Sequence, residues 1–145
     1  MVGVIFANCL NKNNRIYSVD SCEVIIENFK EKKQTIGVLY GELGHPDNND
    51  VSLRNVSHTI NDMWLDGNVL KAEIETLNTV SGNILEKNIE QMVFSSRSLG
   101  YVDSVTNHVS IKKFITIDAI DCEKDAYYKQ RVREKKLKRI LKDGL

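Results

Sequence analysis

Two short stretches carry side chains that could do chemistry together. Gly41-Glu42-Leu43-Gly44-His45-Pro46 ends one apolar run with a histidine set between glycine and proline, and Phe94-Ser95-Ser96-Arg97-Ser98-Leu99-Gly100 ends another with adjacent serines. A serine hydroxyl is a poor nucleophile until an imidazole held beside it can take its proton. The combination therefore points to acyl transfer. Neighbouring residues of a strand face opposite ways, so only one of Ser95 and Ser96 can meet His45, and the sequence leaves both open.

Other constellations are weaker. His58, in Asn55-Val56-Ser57-His58-Thr59-Ile60, reads by itself as a hydrogen-bonded structural histidine, whereas His108 follows a turn and is expected at the surface. His45, Asp47, Asp50 and His58 have neither an H-E-x-x-H spacing nor a cysteine pair beside them, so no metal and no cofactor is expected. Cys9, Cys22 and Cys122 are an odd number without C-x-x-C spacing and read as free thiols. Cys122 lacks the surroundings of a cysteine nucleophile.

The elements that must position these groups alternate along the chain. An apolar strand over 2–10 leads through a polar loop, 11–15, into an amphipathic helix from Asp20 to near Gly37, with Asp20 and Glu23 spaced as a capping box. A strand over 37–43 then delivers His45. Residues 51–65 and 68–77 flank Asp66-Gly67, a hairpin signal, and Ser81-Gly82-Asn83 opens a short helix carrying Ile84, Leu85, Ile89 and Met92. Strands over 93–103 and 108–120 follow, joined by a turn at 104–107, with Ile111, Ile115, Ile117 and Ala119 on one face by period two. Six or seven strands joined mostly by short turns, with two or three helices, predict an α+β domain on an antiparallel sheet or barrel.

The 145 residues, 41% hydrophobic and 28% charged, suit one globular domain with its own core. No apolar run approaches the roughly 18 residues of a membrane span, and the start of the chain lacks a secretory leader, so a cytoplasmic protein without a membrane partner is expected. Zero net charge hides a division: residues 129–145 hold eight basic side chains against Glu134 and Asp143, leaving 12 basic against 18 acidic elsewhere. A domain over 1–125 with a basic helix or tail over 126–145 is the natural partition. Without aromatic interleaving, the tail gives little support to nucleic-acid binding.

Four ordered blocks go further than spacing: Asn13-Asn14-Arg15-Ile16-Tyr17, Gly41 to Pro46, Asp62-Met63-Trp64-Leu65-Asp66-Gly67-Asn68, and Ser95 to Gly100. Together they make residues 3 to about 122 closely resemble the prohead core proteases of T-even-like tailed phages, relatives of herpesvirus assemblin. Two positions depart from that pattern. Gly44 stands where an asparagine often precedes the histidine, and Ser98 where glycine commonly follows Ser-Ser-Arg.

The resemblance implies an antiparallel β-barrel with flanking helices and a serine endopeptidase acting inside the immature prohead in the host cytoplasm. It implies His45 as general base, Ser95 as nucleophile with Ser96 as alternative, and Asp118 as the acid behind the histidine, ahead of Asp121 at the strand's end. Assemblins use a second histidine as third member, which makes His58 the alternative orienting group. Backbone amides near Ser96 to Gly100, with Gly100 easing close approach, are candidate oxyanion donors, and Arg97 could serve the oxyanion or an acidic substrate residue. Substrates would be scaffold, core and capsid precursor proteins, cut after glutamate with an apolar residue two positions earlier; Val132-Arg133-Glu134 offers such a site in the tail itself. Homo-oligomerisation is left open. The competing expectation is an inactive, scaffold-associated capsid-core binding protein.

Overall fold

The computed structural model describes residues 2–9 and 14–121. The basic tail, Cys122 and the last residue of the expected first strand lie outside that range. Strand β1 (Val2–Phe6) is followed by helix α1 (Val19–Ile36), strand β2 (Leu39–Glu42), strand β3 (Val56–Asp66), strand β4 (Val69–Thr76), helix α2 (Val80–Lys87), strand β5 (Met92–Val102) and strand β6 (Val109–Asp121). The strands form a four-stranded antiparallel sheet in the order β1-β4-β3-β2 and a two-stranded antiparallel ribbon of β5 and β6.

Local chemistry explains the boundaries. Helix α1 starts two residues before the expected capping box because the Ser18 hydroxyl, not Asp20, accepts from the Ser21 amide, and it stops where Gly37 adopts a φ of 81°. Thr79 caps α2 through the Gly82 amide, again two residues early. Asn88 ends that helix, so Ile89 falls in a short 3-10 turn and Met92 opens β5. In the β3–β4 hairpin Asp66 pairs with Val69, and Gly67 leads the two-residue loop at φ 61°. That is the first central position of a II′ turn, which favours glycine.

All six strands and both helices serve one core. Cys22, Ile25 and Phe29 of α1 and Leu85 of α2 pack with Leu39, Ile60, Met63, Leu70, Ala72, Phe94, Phe114, Ile117 and Ala119. The expected period-two stripe of β6 is corrected here. The register skips Ile115 and Lys112, two bulges that shift the strand's phase, so Phe114 rather than Ile115 joins Ile117 and Ala119 on the core face.

The ribbon is sewn to the four-stranded sheet where β2 passes β6. Gly44 donates to the Ala119 carbonyl at 2.7 Å, and Thr116 Oγ1 donates to the Tyr40 carbonyl at 2.6 Å. Gly41 makes the close passage feasible: a Cβ there would lie 2.2 Å from the Ile117 carbonyl oxygen and 2.1 Å from His58 Nε2. Through that gap His58 Nε2 reaches Ile117 O at 2.8 Å. Among the described residues no helix is long and apolar enough to cross a membrane.

Candidate active site

His45 leaves β2 on a loop whose preceding residue, Gly44, has a φ of 87°. The Gly44–Ala119 hydrogen bond lays this loop against β6, and His45 Nδ1 lies 2.9 Å from Asp118 Oδ2. The imidazole is 38% exposed while the carboxylate is fully buried. An acceptor at Nδ1 fixes the proton there and leaves Nε2 as the basic nitrogen, the tautomer that proton abstraction requires.

Strand register decides which serine shares this face. Residues paired across an antiparallel ladder project to the same side. Ser95 pairs with Asp118 and Arg97 with Thr116, while Phe94 pairs with Ala119 and Ser96 with Ile117. Phe94, Ile117 and Ala119 belong to the core, so Ser96 shares the core-facing side and half-buried Ser95 the side of Asp118. Asp121 is the last residue of β6, opposite Met92.

Arg97 departs from its expected role. Its guanidinium is enclosed by the protein, with Nη2 donating to Glu42 Oε2 at 2.7 Å and to Asp118 Oδ1 at 3.0 Å. Nη1 donates to the carbonyls of Asn48 and Asp50 at 3.0 and 3.3 Å. Nε approaches Asp118 Oδ2 at 3.0 Å without hydrogen-bond alignment. With the side chain 6% exposed and these donors engaged, its charge is directed into the protein and away from an oxyanion or a substrate carboxylate.

Gly100 is likewise displaced from its expected place. It lies five residues beyond Ser95 on a continuous strand, about 16 Å away at strand rise, and its missing side chain admits the Ser110 carbonyl of β6.

His58 is committed elsewhere in the fold. Its Nε2–H donates to Ile117 O, and its Nδ1 accepts from Ser57 Oγ at 2.7 Å. It packs edge-on to Phe94 with centroids 5.3 Å apart. Burial pushes its pKa below the ordinary 6.5, outweighing the Ile117 hydrogen bond and the Asp118 charge, which act the other way. Neither ring nitrogen remains to orient His45.

Glu42 escapes sequence reasoning altogether. It is 2% exposed, and besides Arg97 it meets Asn55 Nδ2 at 3.5 Å. Its own backbone N–H donates to Asp118 Oδ1 at 3.2 Å. The available signal was a carboxylate at the end of the apolar strand Val38-Leu39-Tyr40-Gly41, three residues before the histidine. A charge in such a strand needs a buried partner. Among the described residues no group of three or more His, Cys, Asp or Glu is arranged to hold a metal ion.

Residues 2–138 match the family model described as prohead core protein serine protease. Among solved structures, the bacteriophage T4 capsid assembly protease, gp21, is similar with a TM-score of 0.70 and 24% identity, over 80% of this chain and 76% of that one. No curated protein matches the chain. The shared fold agrees with the antiparallel α+β architecture described above.

Proposed function

The chain belongs to the prohead core protein serine protease family, and from that premise we propose that Ser95, His45 and Asp118 are its nucleophile, general base and orienting acid. The observation that carries this reading is the 2.9 Å contact of His45 Nδ1 with a fully buried carboxylate whose cross-strand partner is Ser95. Ser95 Oγ attacks the scissile carbonyl carbon as His45 Nε2 takes its proton. The imidazolium, held by Asp118, returns that proton to the leaving amine. Water activated by the same imidazole then releases the acyl group from Ser95. With Arg97 occupied, backbone N–H groups close to Ser95 are the candidates for the oxyanion.

The substrates we assign are scaffold, core and capsid precursor proteins inside the prohead, cut after glutamate. The segment Val132-Arg133-Glu134 is assigned as a self-cleavage site at the start of the basic tail. The reading is tested by labelling purified protein with a fluorophosphonate and locating the adduct by peptide mass. We expect label on Ser95, its loss in Ser95→Ala and its retention in Ser96→Ala. Asp118→Asn should slow labelling by about 10⁴-fold, since the amide favours the wrong imidazole tautomer. Label on Ser96, or none on the folded protein, defeats the assignment; none at all favours the inactive binding protein.

A further inference from the structure

Asp118 has more partners than an orienting acid requires. Oδ2 meets His45 Nδ1 and lies beside Arg97 Nε, while Oδ1 accepts from Arg97 Nη2 and from the Glu42 amide. The same Nη2 also donates to the Glu42 carboxylate, so one buried cation stands between two buried carboxylates. Were Arg97 to face Asp118 alone, the pair would be neutral and the field supporting a positive imidazole weak. With Glu42 sharing the guanidinium, the trio carries one net negative charge, which protonation of His45 cancels.

Arg97 also grips the carbonyls of Asn48 and Asp50, in the loop that follows His45. One side chain thereby ties together the carboxylate, β2 and the loop bearing the base.

We propose that Glu42 and Arg97 are positioning residues that hold Asp118 and balance its charge so that His45 can act as a base. The proposal rests on the triad reading above. The charged and titratable groups around the site are Glu42 on β2, His58 on β3, Arg97 on β5 and Asp118 on β6, with Lys32 on α1 within electrostatic reach of Lys113 on β6, of Arg97 and of Asp50 in the loop. Glu42→Gln removes one of these charges with little change of shape and leaves the proposed triad untouched.

The test follows the rate of fluorophosphonate labelling of Ser95 in the full chain across the pH range where imidazole titrates. Glu42→Gln removes one negative charge near His45, so the imidazolium is less favoured and the acid limb of the profile moves to lower pH, by about one pH unit for a half-screened charge at this range. Adding Arg97→Gln restores the net charge, and the limb returns toward its original position although the plateau rate falls with the lost grip on the loop. A purely structural pair would lower the rate and leave the limb in place.

A limb that stays put or moves upward in folded Glu42→Gln overturns the proposal. Should that variant fail to fold because Arg97 loses its partner, the double variant decides: a limb a full unit or more from the parent's refutes charge balance. Absence of label on Ser95 in the parent removes the triad and the proposal with it, whereas label on Ser95 with an unmoved limb removes the proposal alone.

Discussion

Gly41→Ala puts the tight passage of β2 across β6 to the test. The added methyl would lie 2.1 Å from His58 Nε2, 2.4 Å from His58 Cε1 and 2.2 Å from the Ile117 carbonyl oxygen. Ordinary contact begins at about 3.4 Å, so the shortfall exceeds about 1 Å against a bonded ring and a strand backbone, neither of which is a flexible tip. Overpacking of this kind costs about 1–3 kcal/mol. Relief by moving the His58 ring off the Ile117 carbonyl breaks their 2.8 Å bond and leaves buried polar groups unmet, at about 1–3 kcal/mol more. A total of about 2–6 kcal/mol lowers the melting temperature by roughly 6–24 °C in a domain of this size.

Because β2 carries Glu42 and leads into His45, labelling of Ser95 should fall as well, even at temperatures where the variant is folded. Calorimetry and labelling read the two effects. Gly67→Ala is the control: its φ is positive, at 61°, yet nothing lies within 4 Å of the added Cβ, so it should cost about 1–2 kcal/mol of backbone strain alone. A Gly41→Ala protein melting within a few degrees of the parent, or no lower than Gly67→Ala, would refute the tight passage of β2 across β6.

Two further outcomes follow from buried titratable groups. The pKa of His58 is lowered on folding, chiefly by burial, so the unfolded chain binds the proton more readily. The stabilising contribution is present above the unfolded value near 6.5 and is lost as pH falls from there through the lowered native value. The loss of melting temperature on mild acidification should therefore shrink in His58→Gln, and an identical pH dependence in both proteins would contradict the neutral, donor-at-Nε2 state. The Cys22 thiol is pushed up to about 11, first by burial and then by Glu23, so near neutral pH it carries almost no thiolate. Brief iodoacetamide treatment of the native protein should modify exposed Cys9 and spare Cys22; equal modification in peptide maps would show that the core around α1 opens freely.

What the sequence reveals and what it hides divide along physical lines. The Asp66-Gly67 hairpin and the amphipathic α1 are local features, governed by turn chemistry and 3.6-residue periodicity, and both are legible to within a few residues. The phase of β6 is not, because the bulges at Ile115 and Lys112 arise from pairing with β5 and leave no local mark. The same holds for the partnership of β1 with β4 across the chain and for the crossing of β2 over β6. Within the candidate site, His45, Ser95 and Asp118 are nameable from the family resemblance, whereas the pairing of Ser95 with Asp118 is a register that only the folded ribbon reveals. Arg97 illustrates the limit. Residue type suggests a donor for substrate, but a cation two positions from Ser95 on the same strand face lies over Asp118, and burial with Glu42 turns it inward.

The two departures from the family pattern acquire different meanings in three dimensions. Gly44 holds a φ of 87°, with nothing within 4 Å of a built Cβ, so the constraint there is conformational and steric room is ample. Glycine adopts that backbone freely, and asparagine is among the few other residues that visit positive φ. Exchanging one for the other keeps the turn that sets His45 against Asp118, and the departure leaves the loop's geometry intact.

Ser98 is another matter. It pairs with Phe114 beside the Ile115 bulge, on the side of the ribbon that bears the core, and its buried hydroxyl has no hydrogen-bond partner among the described residues. Glycine at that position would carry no such hydroxyl, so the serine adds an unmet polar group. The burden falls on the packing of the ribbon, because Ser98 faces away from the side of β5 that carries Ser95 and Arg97.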